Sequence, residues 1–313
     1  MKFLIVLLIV LETLRVDGAE SKIENVSQTL FKKPLAGTTN TSQNRLNLLR
    51  DDVNLNLNPP PFKISNQSPP LITAEGVLII DVASNKVLYQ KKANENFSIA
   101  SLTKIMTALI SLENYSLDDV VEVKQDIIGG LPGALINLQN GEKIKVSDLL
   151  YGLLLYSGND AAYTLASKMG KDEFVKKMNE KAKYLGFSQT HYDDPSGLSP
   201  KNISTPTDLA HLAILAFRNP TFAKIVNTTE ITIMSIDGKY VHPLKNTDKL
   251  LRDYPGTYGG KTGYTEEAGH SLIVAVERNN HKVISVVLKS QSDQFRESRW
   301  LLDYIFDVYR WSY

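Results

Sequence analysis

The chain has 313 residues, 42% of them hydrophobic, and 35 Lys plus Arg against 34 Asp plus Glu for a formal net charge of +1 at pH 7. That is apolar material for one large domain with appendages, and the balanced charge excludes nucleic acid as the main partner, since phosphate neutralisation takes a concentrated basic surface. There is no cysteine, which excludes disulfides, thiolate ligands, a cysteine nucleophile and lipidation at a cysteine; the five histidines show no HExxH or comparable spacing, so no metal and no cofactor is expected.

At the N-terminus, Met1-Lys2 precedes the apolar run FLIVLLIVL, Phe3 to Leu11, which Glu12 breaks. The run fits a signal-peptide core and is too short to span a bilayer. Val16 and Gly18 offer a small-residue cleavage site before Ala19. Residues 1–18 are therefore expected to be a signal peptide, or a signal-anchor where uncleaved, and the chain to be exported to the periplasm or cell-wall space. Residues 19–70 are polar, with AGTTNTSQN, NLNLNPPPF and Pro69-Pro70 and no sustained period. They read as a disordered Asn/Pro-rich tether, with the globular domain beginning near Leu71.

AEGVLIIDVASNKVLYQKK gives two strand-like runs around Ser84-Asn85, a hairpin. Residues 101–114 carry apolar positions at Leu102, Ile105, Met106, Leu109, Ile110 and Leu112, the spacing of a helix. Val146 to Leu155 predicts another helix, interrupted at Ser157-Gly158, with a further one from Asp160. Lys171 to Leu185 and Thr207 to Arg218 follow as helices, with Asp172 and Thr207 as N-caps. In the C-terminal third, GHSLIVAVERNNHKVISVVLKS shows two β-rich runs joined at Asn279-Asn280, a strong hairpin signal. A last periodic helix runs from Arg296 to Tyr309, and its Leu301, Leu302, Ile305 and Phe306 read as packing on a sheet. Strands at both ends and helices between them predict an α/β (α+β) domain, an antiparallel sheet of about five strands flanked by helices, with a mostly α-helical subdomain.

One helix holds an anomaly. In SIASLTKIMTALI, Lys104 sits among apolar residues where a charge is costly. Ser101 lies three residues before it, and on a helix residues i and i+3 share a face with Cβ atoms roughly 5–6 Å apart. A serine hydroxyl is a poor nucleophile until a base takes its proton. A lysine becomes that base when apolar surroundings and a second cation lower its pKa. Two further triplets accompany the pair. Ser157-Gly158-Asn159 falls at the break between two helices, where a polar turn can face a cleft. Lys261-Thr262-Gly263 opens the β-rich third, and Gly263 would let a ligand backbone approach the strand. Each triplet alone is weak; the three together, in this order on these elements, are specific.

With S-x-x-K, S-x-N and K-T-G in that order, the sequence resembles the penicillin-binding protein and serine β-lactamase superfamily. Within it the chain is most similar to the low-molecular-mass D-alanyl-D-alanine carboxypeptidases, the S11 peptidases. The resemblance covers residues 71–313 and includes the blocks IASLTKIMTALISLE, GEKIKVSDLLYGLLLYSGNDAAYTLA, HYDDPSGLSP and NTDKLLRDYPGTYGGKTGYTEEAGHSLIVAVER. It implies the DD-peptidase fold, peptidoglycan stem peptides ending in D-Ala-D-Ala as substrates, and β-lactams as acylating inhibitors. It implies Ser101 as nucleophile, Lys104 as its base and Ser157 as proton relay to the leaving nitrogen. Asn159 would bind the acyl side of the substrate. Lys261 and Thr262 would bind its carboxylate, Gly263 would lie beside it, and an N–H near Tyr264 would join that of Ser101 in an oxyanion hole.

The chain departs from the pattern in places. LPGALINL follows Gly129-Gly130 where hydroxyl residues are common, which puts a cleft-lining role for that segment in doubt. Gly260 stands before KTG where a bulky aliphatic is common, so looser strand packing is expected. No C-terminal β-sandwich domain is expected after the last helix, and any membrane attachment is expected through the N-terminal leader. A D,D-endopeptidase using the same residues remains an alternative. A β-lactamase is disfavoured because the segment THYDDPSGLSPKNIS has no glutamate to activate water, only Asp193 and Asp194. A wall-binding protein without turnover is disfavoured by the intact motifs.

Overall fold

The computed structural model describes residues 59–312. The leader and residues 19–58 of the tether lie outside the described residues. Five strands form the central sheet: β1 (Gly76–Asp81), β2 (Val87–Lys91), β3 (Thr257–Thr265), β4 (Gly269–Arg278) and β5 (His281–Ser290). Their order is β3-β4-β5-β1-β2, and every pairing is antiparallel. The β4–β5 turn has positive φ at both Asn279 (51°) and Asn280 (65°), the backbone that a tight hairpin requires and asparagine tolerates.

Alternation along the strands divides the apolar residues between two cores. Val77, Ile79, Leu272, Val274, Val283 and Val287 face one side, and there they meet Leu301, Leu302 and Ile305. These last residues form the apolar stripe of the C-terminal helix (Gln294–Val308), whose Asp293 caps it by accepting from the N–H groups of Phe295 and Arg296. Leu78, Ile80, Ile273, Ile284 and Val286 face the other side, against the helical subdomain.

That subdomain contains α1 (Lys104–Asn114), α2 (Val146–Leu154), α3 (Asn159–Ser167), α4 (Lys171–Tyr184) and α5 (Pro206–Arg218). In α1 eight consecutive residues from Lys104 to Ser111 are buried, so it is the central helix and not an amphipathic surface one. Two caps differ from expectation. The α5 cap is Thr205, whose hydroxyl accepts from the Asp208 N–H at 3.0 Å, because Pro206 takes the first helical position and pushes the boundary upstream of Thr207. Gly170, with φ of 90°, precedes α4, which leaves Asp172 in the first turn.

The folded body also begins before Leu71. Phe62–Lys63 pairs with Tyr309–Arg310, the Ile64 N–H donates to the Val308 carbonyl at 2.8 Å, and Tyr304 donates to the Gln67 carbonyl. A two-residue ladder leaves no periodicity to read, and its partner lies at the far end of the chain. No helix among the described residues is long and apolar enough to cross a membrane.

Candidate active site

A cleft of about 410 Å³ runs between β3 and the helical subdomain, with Ser101, Ser157, Asn159, Thr262, Gly263 and Tyr264 on its walls. β3 is an edge strand of the sheet, so its outer hydrogen-bonding edge faces this groove.

Ser101 sits in a single 3-10 turn, Ala100–Thr103, that leads into α1. In such a turn residues i and i+3 eclipse, which brings Lys104, the first residue of α1, beneath the serine. Ala100 is held at φ of 44°, a conformation that costs a non-glycine residue of order 1–3 kcal/mol and persists only where the surroundings enforce it. Gly197, whose own φ is 89°, packs so close to Ala100 that any Cβ on it would overlap the Ala100 carbonyl.

Lys104 is fully buried, beyond the partial burial that its apolar neighbours suggest. Its Nζ is 2.9 Å from Ser101 Oγ, 2.7 Å from Asn159 Oδ1 and 2.7 Å from the Ser196 carbonyl. Asn159 Nδ2 donates to the Pro132 carbonyl, which fixes its oxygen toward the lysine. Two of the three neighbours can only accept. A neutral amine satisfies both with its two N–H bonds and leaves its lone pair for the serine hydroxyl. Burial, and after it the charge of Lys261, hold the Lys104 pKa well below the ordinary lysine value; Asp194 and Asp160 pull the other way.

Lys261 enters from β3 and is also buried. Its Nζ donates to Ser157 Oγ at 2.8 Å and to the Thr262 carbonyl at 2.9 Å. Burial lowers it to about 7, against the opposing charge of Asp248. Ser157 has a φ of 69° at the break between α2 and α3, so the turn between the helices projects it into the cleft. Thr262 Oγ1 is 2.9 Å from Thr247 Oγ1. Gly263 lines the cleft and also gives room to the chain itself. A Cβ there would stand 3.1 Å from the Ile99 carbonyl and 3.3 Å from the Ser101 nitrogen, so the serine turn packs closely against it. Tyr264 stands exposed at the rim, its ring stacked on His270 at 4.5 Å.

All eight residues singled out in the sequence thus converge on one groove or its immediate wall. The segment after Gly129-Gly130 also lines it, through Gly133 and Ala134 rather than hydroxyl side chains. Sequence reasoning missed Thr247, Gln294 and Phe295, which also line the cleft, and the supporting role of the loop after α4. There Asp194 Oδ1 accepts from Ser196 N, Ser196 Oγ and Gly197 N, and Oδ2 accepts from Ser199 N. Asn202 ties the Asp194 carbonyl to Thr103 Oγ1. The available signal was HYDDPSGLSP, an Asx-turn sequence too polar for its buried position. Among the described residues no cluster of His, Cys, Asp and Glu could hold a metal.

An antiparallel sheet with a helical subdomain, and between them a serine within hydrogen-bond distance of a buried lysine, define the class: the DD-peptidases and penicillin-binding proteins. A profile of the D-alanyl-D-alanine carboxypeptidases, peptidase S11, matches residues 63–292, and the chain belongs to that family. It is 34% identical over 247 residues to D-alanyl-D-alanine carboxypeptidase DacF of Bacillus subtilis, covering 75% of this chain and 63% of the relative, so it spans less than two thirds of that relative's length. It is 33% identical over 252 residues to a D-alanyl-D-alanine endopeptidase of Pseudomonas aeruginosa, covering 77% of this chain and 81% of the relative. Among solved structures it is similar to the Streptomyces K15 DD-transpeptidase, with a TM-score of 0.73 and 35% identity over 77% of this chain and all of that one.

Proposed function

We propose that the chain is a serine-type D-Ala-D-Ala carboxypeptidase that removes the terminal D-alanine from peptidoglycan stem peptides outside the cytoplasm. The observation that carries this reading is the setting of Lys104: a fully buried amine, its pKa lowered by burial and then by the charge of Lys261, with Nζ 2.9 Å from Ser101 Oγ and held by Asn159 Oδ1 and the Ser196 carbonyl.

The substrate lies as an added strand along the free edge of β3. Its terminal carboxylate meets Lys261 and Thr262, and Asn159 binds its acyl side. Ser101 Oγ bonds to the carbonyl carbon of the penultimate D-alanine while its proton passes to Lys104. The oxyanion is held by the N–H groups of Ser101 and the strand at Tyr264. Collapse breaks the C–N bond, and Ser157 relays the lysine's proton to the departing amine. Water then hydrolyses the ester. Asp194 is committed to four donors and is not free to activate that water as a β-lactamase requires, so a penicilloyl adduct persists. A D,D-endopeptidase acting on cross-links through the same residues is the second reading, supported by the likeness to the Pseudomonas endopeptidase.

The test is incubation with a peptide ending in D-Ala-D-Ala, and separately with labelled penicillin. Release of D-alanine and an adduct on Ser101 support the proposal. Absence of both, or an adduct that persists in Ser101→Ala, overturns it.

A further inference from the structure

Residues 131–139, which reach the cleft at Gly133 and Ala134, have no regular secondary structure, so their backbone depends on side chains from elsewhere. Ile136 is the point where they converge. Its N–H donates to Asp160 Oδ1 at 3.0 Å, and its carbonyl accepts from His242 Nδ1 at 2.9 Å. Its side chain wedges beneath the Ser157-Gly158-Asn159 turn: a Cβ on Gly152 would be 2.6 Å from Ile136 Cδ1, and one on Gly158 3.1 Å from Ile136 Cγ2. On either side, the Leu138 N–H donates to Asp160 Oδ2 and the Ala134 carbonyl accepts from the Asn159 N–H.

His242 is buried, and its other nitrogen lies 2.8 Å from Glu142 Oε1, whose partner oxygen accepts from the Gln139 N–H. The Ile136 carbonyl can only accept, so Nδ1 carries a proton, and the ring bridges that carbonyl and the Glu142 carboxyl group.

On this geometry, and on the function proposed above, we propose that His242 and Glu142 are positioning residues for acylation. By holding Ile136 they fix the turn that carries Ser157 and Asn159 against Lys104 and Lys261. Neither touches substrate. The hydrogen bond to Glu142 raises the His242 pKa, burial opposes it, and the charges of Glu142 and Asp160 and the Ile136 carbonyl add to the rise. These are the charged groups that act on it; Tyr156 and Tyr240 flank it across an adjoining cavity of about 320 Å³. A raised histidine contributes fully below its unfolded pKa, and the contribution is lost as pH rises through the folded value. Acylation therefore gains an alkaline decline that belongs to neither catalytic lysine.

The experiment measures the second-order rate of acylation by a fluorescent penicillin against pH in the whole chain and two variants. His242→Asn keeps a neutral donor where Nδ1 stood, and its rate is expected within about threefold of the parent at neutral pH, with the His242 decline absent. Glu142→Gln keeps the shape but not the charge, and moves that decline to lower pH. His242→Leu, folded by its circular dichroism, loses about tenfold or more across the range, the scale of a misplaced catalytic group. Parental rates and pH profiles in all three variants overturn the inference while leaving the proposed function standing. No acylation of the parent chain overturns both.

Discussion

Gly260 is pressed against Asp248: a Cβ on the glycine would stand 2.5 Å from the Asp248 Oδ2 and 2.5 Å from the Ile273 carbonyl oxygen. The position expected to pack loosely is instead filled by a buried carboxylate. Asp248 Oδ1 accepts from the Leu250 N–H at 3.0 Å, while Oδ2 is buried without a hydrogen-bond partner. Burial raises this acid to about 6, and the charge of Lys261 restrains the rise. In return Asp248 keeps Lys261 from falling further.

That pairing predicts the effect of Asp248→Asn. With the negative charge gone, burial alone acts on Lys261, which then loses its proton at lower pH. The KM of a peptide with a free terminal carboxylate is expected to begin rising at lower pH than in the parent, while an amidated peptide is unaffected. Superimposable KM–pH profiles for parent and variant would show that Asp248 does not govern the charge of Lys261.

Lys104 leads to a second prediction. Burial, and after it the charge of Lys261, lower its pKa, so on the acid side acylation should rise with pH as Lys104 gives up its proton. Lys104→Arg puts a permanently charged, bulkier group into a buried pocket built for three contacts. Its acylation rate is expected to fall by about 10³-fold or more, comparable to loss of a general base. Stopped-flow acylation with penicillin measures this, and a loss smaller than tenfold would remove Lys104 from the role of base.

Lys261→Ala separates docking from chemistry. The residue is expected to hold the substrate's carboxylate, and so its loss should impair free-carboxylate peptides far more than amidated ones, by the 10²-fold or so of a charge-assisted contact. Measured kcat/KM for the matched pair decides it; equal losses would mean that Lys261 acts only through Ser157.

Much of this site was legible because its chemistry is local in sequence. Ser101 and Lys104 are one turn apart, Ser157 and Asn159 share one interhelical turn, and Lys261 to Gly263 share one strand. The hairpin at Asn279-Asn280 was equally readable, because positive φ at two successive residues selects asparagine or glycine. What escaped depends on contacts between distant segments. Phe62 finds its partner at Arg310, Gly263 makes room for the turn that carries Ser101, and Gly260 makes room for Asp248. A glycine in a sequence announces a close approach without saying what approaches.

Gly197 offers the sharpest test of how the serine turn is held. Its φ of 89° disfavours any L side chain, and an added methyl would overlap the carbonyl of Ala100, the residue that precedes the nucleophile. The loop cannot retreat freely, because Asp194 accepts from Gly197 N at 2.8 Å and from Ser199 N at 2.6 Å, and Ser196 gives its carbonyl to Lys104. Gly197→Ala should therefore lower stability by about 2 kcal/mol or more and slow acylation of the fraction that remains folded. Thr205→Ala, which removes only the α5 cap, should cost about 1 kcal/mol and leave acylation unchanged. Denaturant unfolding alongside penicillin acylation compares the two. If Gly197→Ala behaved like Thr205→Ala, losing stability but acylating at the parental rate, the strained conformation of Ala100 would have no part in presenting Ser101.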